Sequence, residues 1–192
     1  MQTFVAMPTE KQKQAGAVRL VMYLYLAATF MAFAGLTSAY IVTKAEGKMQ
    51  TFTLTPIFYV NTLVLLMSSV TLHLAYLNAK QNKVSRLQGW LFATALLAVA
   101  FVFGQVIAWQ KLVAQGVYLV GNASGGFLYI LTGLHGLHVV AGIVALSVML
   151  ISAIRLRISN DNLQGLQLFA TFWHTMDFLW IYLFVFLLVN HL

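Results

Sequence analysis

Three histidines and one aspartate sit near the C-terminal end of the chain, in L-T-G-L-H-G-L-H-V (131–139) and F-W-H-T-M-D-F-L-W (172–180). His135 and His138 are three residues apart, and so are His174 and Asp177, a spacing that puts each pair on one side of a helix. Imidazole and carboxylate are the donors of metal sites, of haem ligand pairs and of proton relays. The same groups can also hydrogen-bond one another and tie two buried segments together. We read them in that last sense, as a structural polar cluster of His135, His138, His174 and Asp177, with Trp180 one turn further on. Asp177 is the only acidic residue inside an apolar segment, and an ionisable group in hydrocarbon needs a protein partner.

The segments that must carry these residues belong to a membrane. Of 192 residues, 61% are hydrophobic and 8% charged, too little polarity for a water-facing surface. Residues 20–43, 56–79, 87–110 and 112–154 contain no Asp, Glu, Lys or Arg, and 163–192 contain only Asp177. A helix crossing a bilayer core of about 30 Å needs about 20 apolar residues. The 112–154 run opens on the turn-rich A-Q-G-V-Y-L-V-G-N-A-S-G-G (114–126), read here as a loop before a single span. The expected fold class is all-α: a polytopic membrane bundle of five transmembrane helices over about 19–42, 57–79, 88–111, 127–154 and 166–189. A polar segment, 1–18, precedes a single five-helix domain, 19–192. At 1.5 Å per residue, His138 and Asp177 each lie about 16 Å from the start of their helices, so both fall near the midplane and are expected to pair.

The net charge of +7 does not indicate nucleic acid, because the basic residues hug the span ends instead of lining one face. Lys11, Lys13, Arg19, Lys80, Lys83, Arg86, Arg155 and Arg157 fall on one side of the expected membrane, against Lys44, Lys48 and Lys111 on the other. This bias predicts a cytoplasmic N-terminus and an external C-terminus. The first span is too long for the apolar core of a signal peptide and reads as a retained anchor. Zero cysteines exclude disulfides and thiolate metal sites. A small transporter would show corresponding broken spans in two halves, and no such repeat is present.

Other polar residues in the spans read as local contacts. His73, near the inner end of the second span, is within reach of water or lipid headgroups. Asn61 and Thr62, with Ser68, Ser69 and Thr71, give that span side chains that can bond backbone carbonyls or bridge helices. Trp173 and Trp180 are seven apart, on one face that meets another helix. Ala28, Ala32, Gly35 and Ala39 in the first span, and Gly133, Gly136 and Gly142 in the fourth, permit close backbone approach; generic membrane packing explains them.

Over residues 19–189 the chain resembles subunit III of haem–copper respiratory oxidases, in its short five-helix bacterial form. L-T-G-L-H-G-L-H-V-V-A-G-I (131–143) and F-W-H-T-M-D-F-L-W-I-Y-L-F-V (172–185) look like that family's most specific signatures. V-N-T-L-V-L-L-M-S-S-V-T (60–71), G-Q-V-I-A-W (104–109) and F-A-G-L-T-S-A-Y (33–40) are weaker and occur in the right order. The resemblance implies a helical bundle in a bacterial inner membrane, directly beside the catalytic subunit I and in complex with subunit II. It implies a subunit without catalytic residues of its own in cytochrome c oxidase, an enzyme of aerobic respiratory electron transport and proton translocation. Haem and copper are then held by the partner subunits and none by this chain, which stabilises subunit I, holds structural phospholipid and supports proton entry on the cytoplasmic side. Asn61, His73, Gln105 and Trp109 are the candidates for lipid or interhelix contacts.

Two departures bear on mechanism. Where the family carries S-E in its first retained helix, this chain has Ala28 and Thr29, and where it carries Q-x-x-E-W, this chain has Gln105-Val-Ile-Ala108-Trp109. Both carboxylates that could collect protons are missing. Alternatives at this stage are subunit III of a quinol oxidase, the related accessory protein of nitric oxide reductase, and a free-standing membrane haem protein.

Overall fold

A computed structural model of the chain describes residues 10–47, 53–121, 123–156, 158 and 162–191. The helices are α1 (Glu10–Ala45), α2 (Ile57–Lys80), α3 (Val84–Ala114), α4 (Ala123–Ile154) and α5 (Gln164–His191), with no strand among the described residues. All five are long and apolar enough to cross a membrane, and each expected span lies inside one of them. Helices are the economical solution in hydrocarbon because every interior backbone N–H and C=O is satisfied within the segment.

The helices overrun the apolar runs. α4 begins at Ala123, inside the stretch expected to be loop, because residues 115–121 fold back under it. Val117 is buried there, and its carbonyl accepts the Tyr129 hydroxyl at 3.0 Å. At the opposite end of α3 the reversal is short: Gln81 to Lys83 turn the chain, with Asn82 at φ 53, a conformation asparagine tolerates.

Helices α2, α3, α4 and α5 close into a ring in which each packs on its two neighbours, while α1 lies outside and, among the described residues, packs on α4 and α5 only. Phe58, Leu65, Leu72, Leu91, Phe101, Leu128, Leu146, Trp173 and Leu179 fill the ring. α4 comes close to α5 at Gly142, where an added Cβ would sit 2.8 Å from the Trp173 ring. Gly133 lies against the Trp109 ring at an ordinary 3.9 Å, and Gly136 has nothing within 4 Å. α1 attaches through Leu26, Phe33 and Tyr40, through Thr37 Oγ1 at 2.9 Å from the Tyr182 hydroxyl, and through Lys44 Nζ, which donates to the Asn190 carbonyl at 2.7 Å. Its small residues Ala28, Ala32, Gly35 and Ala39 face away from the ring, and an added Cβ at Gly35 would meet nothing within 4 Å. The stripe therefore mediates no packing within the chain.

Candidate functional site

The polar residues of α5 are matched to hydroxyls of α2. Trp180 Nε1 donates to Thr62 Oγ1 at 3.1 Å, Trp173 Nε1 to Ser68 Oγ at 3.1 Å, and Gln167 Nε2 to the Tyr76 hydroxyl at 3.1 Å. His174 Nδ1 lies 2.5 Å from Ser69 Oγ. As position rises along α2 it falls along α5, so the contacts form an antiparallel ladder. An indole N–H left without an acceptor in hydrocarbon is costly, which is why tryptophan and hydroxyl side chains face each other at this spacing.

Asp177 belongs to the same seam. It is 5% exposed, and its carboxyl is within side-chain hydrogen-bonding reach of Ser69, while Oδ2 has no partner. The expected pairing with His138 does not occur. His138 turns to α1, its ring 6.1 Å from that of Tyr25 and 6.0 Å from that of Phe33. Its Nδ1 donates to the Leu134 carbonyl at 2.7 Å, since a carbonyl can only accept. His135 points elsewhere again. It is fully buried, with its ring centroid 4.9 Å from Trp180 and 5.9 Å from Phe101, and neither nitrogen finds a partner.

Helix geometry explains the division. Three residues advance an α-helix by about 300°, leaving the two side chains about 60° apart. On α4, wedged between α3, α5 and α1, that offset sends His135 into the ring and His138 out to α1.

The remaining candidates mostly lie between helices. Asn61 Nδ2 donates to Gln105 Oε1 and to the Phe101 carbonyl, both at 3.4 Å, joining α2 to α3. This contact depends on Gly104, where an added Cβ would overlap the Asn61 amide. Trp109 Nε1 donates to Thr132 Oγ1 at 3.1 Å and joins α3 to α4. His73 is exposed, its ring centroid 6.3 Å from that of His174. Both histidines face a polar cavity of about 410 Å³ between α1, α2 and α5, which also exposes Arg19, Tyr23, Tyr76 and Thr171. On the other side of α1, an apolar groove of about 490 Å³ runs between α1, α4 and α5 past Met22, Tyr25, Met149 and Phe172.

Among the described residues no three His, Cys, Asp or Glu side chains converge as metal ligands. Thr29 and Ala108, the positions where acids are missing, are both buried, and the Thr29 hydroxyl bonds back to the Tyr25 carbonyl at 2.9 Å. The residues that sequence reasoning undervalued are Thr62, Ser68 and Ser69. Their signal was present: Asn61–Thr62 and Ser68–Ser69 recur at the seven-residue interval that separates Trp173 from Trp180.

The family model described as cytochrome c oxidase subunit III matches residues 9–190. The chain belongs to this family. A probable cytochrome c oxidase subunit 3 of Nocardia farcinica is 31% identical over 170 residues, covering 84% of this chain and 82% of the relative. Its counterpart in Mycobacterium leprae is 30% identical over 169 residues, with the same coverage of both chains. A probable quinol oxidase subunit 3 of Staphylococcus saprophyticus is 29% identical over 181 residues, covering 91% of this chain and 90% of the relative. The expectation of a haem–copper oxidase subunit III, a multi-pass membrane protein, is thereby met.

Proposed function

We propose that this chain is the non-catalytic subunit III of a terminal oxidase in a bacterial cytoplasmic membrane, lying directly against subunit I and assembled with subunit II. In this reading haem and copper reside in the partner subunits, and this chain stabilises subunit I and holds phospholipid at its flank. The observation that carries it is the α2–α5 ladder: the family's α5 signature residues Trp173, His174 and Trp180 are engaged with α2 hydroxyls, as a structural tie requires. The apolar groove between α1, α4 and α5 offers acyl chains a seat. The His135, His138, His174, Asp177 and Trp180 set then acts as packing and hydrogen-bonding structure at three separate helix contacts.

A quinol oxidase is the second reading, supported by the relative of that name, whose match extends over 91% of this chain. The two readings differ in electron donor and not in the part this chain plays. Affinity purification of a tagged copy, with optical spectra and mass spectrometry of the material, tests both. Haem-bearing and copper-bearing subunits should co-purify, and reduction by cytochrome c or by quinol then separates the donors. A colourless, solitary polypeptide overturns the proposal. Deleting this chain should leave residual oxygen reduction by a complex of lower abundance or shorter life, with its metal spectra intact.

A further inference from the structure

The polar cavity between α1, α2 and α5 is continued inward by a chain of side chains that ends on a buried carboxyl. His174 forms part of the cavity wall, and its Nδ1 is bonded to Ser69 Oγ at 2.5 Å. The same hydroxyl is within side-chain hydrogen-bonding reach of Asp177. Beyond it the path stops: Asp177 is 5% exposed, and its Oδ2 is buried without a partner. An imidazole at a polar cavity, a hydroxyl that can give and take a proton, and a carboxyl behind them are the parts of a proton wire with one open end.

We propose that Asp177 is a proton-holding site, in exchange with the water of this cavity through His174 and Ser69. The step balances on the chain's own atoms. A proton from cavity water adds to His174 Nε2, the Nδ1 proton passes to Ser69 Oγ, and the Ser69 hydroxyl proton passes to the Asp177 carboxylate. The ring ends neutral with its proton on Nε2, and reversal of the same transfers returns the proton to the cavity. No outlet beyond Asp177 is involved, so the site stores a proton and conducts none across the membrane.

The groups facing this path can be named helix by helix. α1 contributes Arg19 and Tyr23, and α2 contributes His73 and Tyr76, with the Lys80 ammonium 4.7 Å above the Tyr76 ring. α5 contributes His174 itself. On α4, His135 lies against Trp180 and Phe101, and His138 lies against Tyr25 and Phe33, so neither belongs to the chain. The site lies apart from Thr29 and Ala108, and it depends neither on the electron donor nor on which subunits accompany this chain.

Infrared spectroscopy of the protein, purified from its membrane with whatever subunits accompany it, tests the proposal. A carboxyl band absent from Asp177→Asn should shift within seconds of transfer from H2O to D2O. Ser69→Ala should slow that shift, on the order of tenfold or more, and Ser69→Thr, which restores a hydroxyl, should recover it. His174→Gln keeps a hydrogen-bonding side chain but cannot relay a proton; it should also slow the shift, and it serves if Ser69→Ala does not accumulate. The proposal is overturned if no protonated carboxyl can be assigned to Asp177 between about pH 5 and 9. It is equally overturned by a band that stays unshifted for hours, or by exchange in both variants as fast as in the wild type. These outcomes concern Asp177 alone, whereas failure of haem subunits to co-purify would count only against the oxidase assignment.

Discussion

A hydroxyl has one proton to give and two lone pairs to offer, and Ser68 uses both directions. It donates to the Leu65 carbonyl at 2.7 Å and accepts from Trp173 at 3.1 Å. Ser68→Ala therefore strands a buried indole N–H, and we predict a loss of about 1–3 kcal/mol, read as a lowered unfolding midpoint of the purified protein. Asp177→Ala should be milder, about 0.5–1.5 kcal/mol, because no histidine depends on that carboxyl and Ser69 keeps His174. The order of the two variants distinguishes a seam held by α2 hydroxyls from one held by an acid–histidine pair. A third expectation concerns chemistry that this chain has lost. The four acids are Glu10, Glu46, Asp161 and Asp177, so a hydrophobic carbodiimide should leave peptides covering 20–42 and 88–111 unmodified. Mass spectrometry reads this directly, and within the expected spans only the peptide that carries Asp177 can take the label.

At the scale of elements, helix contacts decide which small residues matter. Gly142→Ala pushes a methyl against Trp173, whose indole is tied to Ser68 and cannot swing away, so overpacking of about 1–3 kcal/mol is expected. Gly35→Ala, on the open face of α1, should stay within about 0.5 kcal/mol of the parent in the isolated chain. Thermal unfolding of both variants in detergent makes the comparison. The two glycines look alike in sequence, since each lies in an apolar span with small neighbours. What separates them is the packing partner, which periodicity does not reveal. The same limit governs the candidate site. Charge-free runs located α2, α3, α4 and α5 to within four residues and missed only the nine-residue polar start of α1, and helical spacing singled out the α5 signature residues. Partner choice stayed hidden because α4 and α5 are consecutive in sequence, whereas α5 also closes the ring against α2, roughly a hundred residues earlier. His135 and His138 looked like one site because their offset on the helix is small. It became decisive only once α4 had different neighbours on each flank.

For the whole molecule, the position of the cations predicts the orientation. Eight of the eleven basic residues flank the ends of α1, α2, α3, α4 and α5 that share a side with the N-terminus. Reporter fusions placed after Lys83 and Arg157 should read cytoplasmic, and one placed after Gly121 external; the reverse pattern would invert the topology. Because α1 sits outside the ring and touches only α4 and α5, its position also has a consequence for biogenesis. Thr37 bonds Tyr182 across 145 residues. At a synthesis rate of about 5–20 residues per second, α1 waits roughly 7–30 s for that contact to exist. Until α4 emerges, α1 has only lipid, insertion machinery or another protein for company. A nascent chain interrupted before α5 emerges would leave α1 without half of its attachment and the ring without its closing member, a form that membrane quality control can recognise by the uncovered hydroxyl face of α2.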